Sequence, residues 1–282
     1  MVSIATPLIT NLISDIYAEI DAHGMPDFTF SKDRENSPRE PGLRLSKMGK
    51  ECPCALWHSV HKPELAEKLP AWVKIKFSYG NMLEALVITL AKAAGHTVTG
   101  EQDEVTVDGI SGHRDCVIDG CIVDVKSASS PSFKTIREGK NLDQDIFISS
   151  YLDQLDGYLL GSMDDPLVSV KDRAYLLAID KQLGHMCLYE HYLRTDNIRS
   201  RIAEHKRIVN LPKPPLCTCG TEPDGKSGNL SLDTKASYSA FKYCCFPNLR
   251  TFLYSKGPVY LTKVVRLPDV PELDRNGNIK YN

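Results

Sequence analysis

No stretch of this chain is apolar for long enough to span a bilayer, so the sequence offers no membrane-embedded function. Basic charge is not in excess either. Thirty-four Lys and Arg stand against 36 Asp and Glu, a formal net charge of −2. Affinity for a polyanion must therefore come from a local surface and not from the field of the whole molecule. Internal repeats and long low-complexity segments are absent, which excludes a solenoid or a fibrous chain. The opening MVSIATPLIT lacks the basic region and cleavage site of a secretory leader. Nine cysteines cannot all pair, and they are unevenly spread, so a reduced cytosolic chain is expected (host cytoplasm if viral). What remains is an ordinary globular composition of 282 residues, enough for one large domain or a core with additions.

The most informative stretch is 110–128, ISGHRDCVIDGCIVDVKSA. Asp119-Gly120 is a strong two-residue hairpin turn, with φ > 0 needed at both central positions. Counting outward sets Ile118 against Cys121, Val117 against Ile122, Cys116 against Val123 and Asp115 against Asp124. Lys126 shares that face, and His113 is expected opposite it. Two facing carboxylates about 5 Å apart repel by about 3 kcal/mol at an effective dielectric near 20. A proton or a cation between them relieves this, and hard divalent ions take carboxylate oxygen. A solvated surface hairpin is the commoner home of an isolated D-x-K. Here, though, Val117, Ile118, Ile122, Val123 and Val125 are apolar on both faces, as in a buried central strand.

Along the rest of the chain, Thr6-Pro7 reads as a helix start, and Ile9, Ile13, Ile16, Tyr17 and Ile20 keep helical spacing to Gly24. Residues 25–45 read as an irregular connection, 46–61 as a helix carrying Cys52, Cys54 and Trp57, and 63–70 as a short helical piece. Tyr79 to Ala94 is helical, with Leu83, Leu86, Val87, Leu90 and Ala94 as its stripe. Glu84 lies at the margin of that stripe and taken alone is an ordinary first-turn glutamate. Two short strands fill 96–107. Beyond Lys126 the chain turns polar, with Lys134, Arg137 and Lys140 three residues apart: a solvated face or, beside a phosphate-cutting site, a backbone-contact surface. Asp145 to Leu160 is a helix with Gln154 and Tyr158 as neighbours one turn apart. Strands follow at Arg173–Asp180 and His185–His191, then a basic helix from Thr195 to Val209. A Pro-, Gly- and Cys-rich excursion occupies 211–229, a short helix Lys235–Tyr243 and a late strand Val259–Val265. This order predicts an α/β fold, a central mixed sheet flanked by helices.

Glu84, Gly112-His113-Arg114-Asp115, Asp124-Val125-Lys126 and Gln154-x-x-x-Tyr158, in this order and at these spacings, resemble the PD-(D/E)xK nuclease superfamily. The Q-x-x-x-Y helix marks its RecB-like branch, and the wider layout is similar to exonucleases of tailed phages and CRISPR adaptation nucleases. The resemblance covers roughly residues 79–190. It implies a restriction-endonuclease-like α/β core at 79–210, a helical region at 1–78 and a Cys/Pro/Gly-containing region at 211–282 packed on the core. It implies that Asp115 and Asp124, with the Val125 carbonyl and Glu84, hold Mg²⁺ or Mn²⁺. Lys126 positions the attacking water. Gln154 and Tyr158 organise the site and touch the DNA strand, with His113, Lys134, Arg137 and Lys140 as further contacts. The chain departs from the pattern at Leu83, where many RecB-like members have histidine, and at Arg114, where proline is usual.

Relatives often carry an iron–sulfur cluster on one cysteine before the core and a C-x-x-C-x5-C run after it. Cys52 fits the first. In ASYSAFKYCC, Ala236 and Ser239 stand where two ligands would, and only Cys245 remains. The cluster is therefore expected to be eroded, since such sites take four thiolates. Cys217, Cys219 and Cys244 are candidate substitutes for a cluster or zinc, but C-x-C and C-C match structural zinc spacings poorly. Cys116, Cys121 and Cys187 are read as inert buried thiols. The expected function is a metal-dependent DNase, an exonuclease acting at DNA ends in phage-type replication, recombination or host-DNA breakdown. The alternatives are a structure-specific or nicking endonuclease with the same site, and a non-catalytic DNA-binding subunit. A complete Glu–Asp–Asp–Lys set argues against the last. The partner is DNA, with a single-strand-binding or recombination partner left open.

Overall fold

The computed structural model describes residues 8–29, 42–49, 52–68 and 71–280. The Thr6-Pro7 start and much of the 25–45 connection lie outside them. In chain order the helices and strands are α1 (Leu12–His23), α2 (Pro53–His61), α3 (Ala71–Ala93), β1 (Val98–Thr99), β2 (Glu104–Val107), β3 (Ile110–His113), β4 (Cys116–Ile118) and β5 (Cys121–Ala128). There follow α4 (Ser130–Glu138), α5 (Ile148–Gly161), β6 (Arg173–Asp180), β7 (Met186–Tyr192) and α6 (Thr195–Val209). The chain closes with β8 (Thr221–Asp224), β9 (Asn229–Leu232), α7 (Thr234–Ser237), α8 (Lys242–Cys245), β10 (Arg250–Tyr254), β11 (Gly257–Lys263) and β12 (Glu272–Leu273). It divides into two compact units, Met1–Gly49 with Ala71–Ile202, and Lys50–Pro70 with Ala203–Asn282.

The first unit is a mixed α/β structure. Its sheet runs β1-β4-β5-β6-β7, with β5 and β6 parallel and every other neighbour antiparallel. A parallel pair needs a long crossover, and α4 and α5 supply it between β5 and β6. Side chains alternate strictly between two apolar layers. Cys121, Val123 and Val125 meet Val87, Ile88, Leu90 and Ala91 of α3 and Leu12 and Ile16 of α1. Val117, Ile122, Leu176 and Ala178 meet Leu152, Leu155 and Leu159 of α5 and Phe133 and Ile136 of α4. Burial on both faces explains why β5 reads as a hydrophobic run broken at Asp124, Lys126 and Ser127. Asp119 and Gly120 have φ of 51° and 77°, so the turn takes the conformation its dipeptide favours. The observed register, Cys116 with Val123 through Ile118 with Cys121, is the one counted from that turn.

The hairpin is shorter at its open end than the sequence predicts. β3 leaves β5 and pairs with β2 in a two-stranded sheet, so His113 lies opposite Glu104 and not Lys126. The cause is Arg114, one of the largest fully buried side chains. Its guanidinium donates to Asp103 Oδ2 at 3.0 Å and Asp165 Oδ2 at 2.5 Å. A buried charge is tolerable only when paired, and reaching both carboxylates pulls the backbone out of the ladder between His113 and Cys116.

The second unit holds a five-stranded sheet, β12-β10-β11-β9-β8, with every pairing antiparallel. Residues 52–68 belong here and not with the N-terminal helices. The Trp57 indole donates to the Leu211 carbonyl at 2.9 Å, and buried Lys242 pairs with Glu67. Of these strands only β11 is anticipated by the sequence, because the others are two to five residues long and β8 contains Pro223. The predicted helix 235–243 is two single-turn helices, α7 and α8.

Candidate functional site

Asp115, Asp124 and Lys126 occupy the side of the first unit's sheet that faces α5. Asp115 stands one residue before Cys116, the first residue of β4. It leans across β5, where its Oδ2 accepts from the Val125 amide at 2.7 Å. Asp124 is completely buried, and its Oδ2 lies 2.6 Å from the Lys126 ammonium. Its other oxygen, Oδ1, is buried with no hydrogen-bond partner among the described residues. Burial pushes the Asp124 carboxyl up, Lys126 pulls it back, and Asp115 and Glu84 push it up again, to about 7. Burial works against the charged form of Lys126, but the Asp124 and Asp115 carboxylates outweigh it and hold the amine protonated. The ammonium also sits 5.3 Å from the centre of the Tyr151 ring, which covers it from α5.

Glu84 arrives from the opposite layer. It is buried on α3, and its Oε1 accepts from the Gln102 side-chain amide at 2.8 Å. The same Gln102 nitrogen lies 3.5 Å from Asp115 Oδ1, so this glutamine ties the two carboxylates together. Gln102 takes φ of 58° in the turn before β2, a position held by its backbone donating to the Asp115 carbonyl at 3.1 Å. Nothing in the sequence marks it, since a lone glutamine in a turn carries no motif. Tyr151, too, carries no motif in the sequence.

The helix bearing Gln154 and Tyr158 begins at Ile148, with the Asp145 carboxylate accepting from the Phe147 and Ile148 amides at 2.9 Å. The Gln154 side-chain amide donates to the Tyr158 hydroxyl at 2.6 Å, and that hydroxyl donates to the His113 carbonyl at 2.6 Å. Tyr158 is 1% exposed, so its ring is not available to a strand. The pair instead pins the end of β3 to α5. Gly112 completes the join, because a Cβ there would come within 2.8 Å of Leu45 and 3.0 Å of Tyr158. His113 keeps an exposed side chain beside these buried groups. Lys134, Arg137 and Lys140 stand on the exposed side of α4 and just beyond it. Their described partners are local: Lys134 lies 3.9 Å from Glu138, and Arg137 5.6 Å from the Phe133 ring.

No protein-family model matches the chain, and no curated protein matches it. Among solved structures, one designated SSO0001 superposes with a TM-score of 0.41 at 15% identity, over 85% of this chain and 96% of its own. An alkaline exonuclease from Laribacter hongkongensis, LHK-Exo, gives a TM-score of 0.39 at 14% identity, over 61% of this chain and 91% of its own. The same exonuclease in complex with dAMP gives 0.41 at 13%, over 60% and 87%. At such values the likeness carries no functional weight, and the chemistry must be read from the side chains.

A second cluster lies wholly within the second unit. The sulfurs of Cys52, Cys217, Cys219 and Cys245 all stand within 4.8 Å of one another. This corrects the expectation of an eroded thiol site. The thiols come from the N-cap of α2, the loop before β8 and the end of α8, so of the ASYSAFKYCC run Cys245 alone takes part, and Cys217 and Cys219 stand in for the positions of Ala236 and Ser239. Cys244 is not one of the four. Cys116 and Cys187 are buried in apolar layers, where burial raises both thiols and leaves them unreactive.

The acidic cluster supplies only oxygen: Asp124 on β5, Asp115 just before β4 and Glu84 from α3. Hard divalent cations such as Mg²⁺ take this donor set. Asp124 Oδ1, buried and unpartnered, has the lone pairs such an ion would use, and the residues present fit the metal.

Proposed function

We propose that the chain is a divalent-metal-dependent deoxyribonuclease, an exonuclease that hydrolyses phosphodiester bonds from DNA ends. The observation that carries the reading is Asp124: a carboxylate with no exposure, close enough to feel the Asp115 charge, with one oxygen left without a partner among the described residues. A purely structural carboxylate would have both oxygens hydrogen-bonded or solvated, whereas here Lys126 meets Oδ2 alone. This one is held, at a cost in stability, where a cation would repay it.

Asp115 and Asp124 would hold the ion, with the Val125 carbonyl and Glu84 completing its surroundings directly or through water. When bound, Mg²⁺ or Mn²⁺ polarises the phosphate and makes hydroxide available near neutral pH. Lys126 is the catalytic cation. Its ammonium, held charged by two carboxylates, donates to the attacking water and to a phosphate oxygen as charge develops there. Gln102 fixes Glu84 against Asp115. Gln154 and Tyr158 are positioning residues, which set the backbone at His113 and so the approach to Asp115. Lys134, Arg137 and Lys140 offer backbone phosphates a surface without sequence preference.

The test is digestion of end-labelled linear DNA and covalently closed circular DNA, with and without Mg²⁺. Loss of the linear substrate alone, only with the ion, supports the proposal. Nicking of the circle would make the enzyme an endonuclease with the same site. DNA binding without hydrolysis in either Mg²⁺ or Mn²⁺ would make it a non-catalytic DNA-binding subunit.

A further inference from the structure

The four thiols of the second unit have a size as well as a composition. Cys52 Sγ lies 3.7 Å from Cys217 Sγ and 3.8 Å from Cys245 Sγ, and Cys219 Sγ lies 3.8 Å from Cys245 Sγ. A tetrahedral ion with Zn–S bonds of about 2.3 Å sets its sulfurs about 3.8 Å apart. A four-iron cluster instead puts each cysteine on a different iron. Its thiolates therefore stand farther apart than those around one ion, by an amount set by the iron–iron spacing. A cavity whose four sulfurs all lie within 4.8 Å matches a single ion and is too small for the cluster core.

The backbone supports the same conclusion. The Thr218 amide donates to Cys52 Sγ at 3.5 Å, and the Cys219 amide donates to Cys217 Sγ at 3.3 Å. Amides aimed at sulfur stabilise thiolate, the form that binds metal. The C-x-C spacing, a poor match to a zinc knuckle, serves here because Cys52 and Cys245 come from 165 and 26 residues away, from Cys217 and Cys219 respectively. The site also has a structural task. One apolar cluster of this unit has Leu232, Ala236 and Leu249 as its buried members among the described residues, with Cys219, Tyr243, Phe246 and Tyr260 packed around it. Small cores of this kind are commonly completed by a metal.

We infer that Cys52, Cys217, Cys219 and Cys245 form a mononuclear tetrathiolate site, filled by Zn²⁺, that ties the start of α2, the 217–219 loop and the end of α8 into one unit. It is separate from the carboxylate site and independent of the proposed nuclease activity.

Metal analysis of the full chain, purified without chelator, tests this. The expected result is a colourless protein with one zinc per chain and no acid-labile sulfide. Titrating the native protein with a mercurial should release that zinc as four thiols react, a readout that needs no variant to fold. Exchange for Co²⁺ should give the intense visible bands of a tetrahedral thiolate site. Cys217→Ser should lower zinc to background, whereas Cys244→Ser should leave one zinc per chain. Brown protein containing about four irons and inorganic sulfide per chain would overturn the proposal, as would a native chain without bound metal. Zinc retained in full by soluble Cys217→Ser protein would overturn it too.

Discussion

At Asp124 the folded chain works against itself. Burial and the neighbouring Asp115 and Glu84 raise the carboxyl from 3.8 to about 7 in spite of Lys126. A carboxyl raised on folding binds its proton more tightly in the native state. Without divalent metal, the native state is therefore favoured at acid pH and loses stability as pH rises from about 4 to about 7. Asp124→Asn is expected to flatten that slope. Thermal unfolding across this pH range measures the change. Tyr158→Phe acts differently. It leaves the His113 carbonyl and the Gln154 amide without their buried partner, and should cost about 1–3 kcal/mol in urea unfolding without creating a cavity. At this scale the sequence shows which side chains carry charge. It does not show that Gln102 joins Glu84 to Asp115, since that contact exists only after three elements meet.

The hairpin is the element that converts sequence into a site. Its register was legible because Asp119-Gly120 restricts the turn and the pleat does the rest. Gly120 cannot be replaced cheaply: φ is 77°, and a Cβ would collide with the Ser169 side chain. Gly120→Ala should cost more than about 1 kcal/mol and should lower activity and stability together, as paired unfolding and cleavage measurements would show. The limit of legibility is Arg114. A sequence reader extends the strand through it, but its partners Asp103 and Asp165 lie 11 and 51 residues away and only the folded unit brings them in. Helical spacing marks α3 and α5 but not where they start. α5 starts at Ile148 because the Asp145 carboxylate caps it from outside, and α3 begins eight residues before the predicted Tyr79.

Over the whole molecule, the mixed α/β layering of the first unit was legible from alternating apolar runs, and the sheet of the second was not. The second unit's strands are short, and its thiol ligands are scattered over 52, 217, 219 and 245, so no local pattern announces them. Its sheet carries an acid-sensitive pair. The Arg250 guanidinium beside Glu272, with Lys280 assisting, holds that carboxyl down from 4.5 to about 2. A carboxyl lowered on folding adds stability above its unfolded value, and that stability fades as pH falls from 4.5 toward 2. Since Arg250 is 39% exposed, solvent screening limits the effect to about 1 kcal/mol. Glu272→Gln should be less stable than wild type by that amount at pH 7, and the gap should narrow in acid as measured by parallel denaturant titrations.

The central claim, that buried Asp124 with Asp115 and Lys126 cuts DNA, is tested most directly by the Mg²⁺-dependent rate on linear duplex DNA in wild type, Asp124→Asn and Lys126→Met. Both variants should remain folded and lose about a hundredfold or more of the rate. Folded variants that still cut at a rate comparable to wild type would contradict the account.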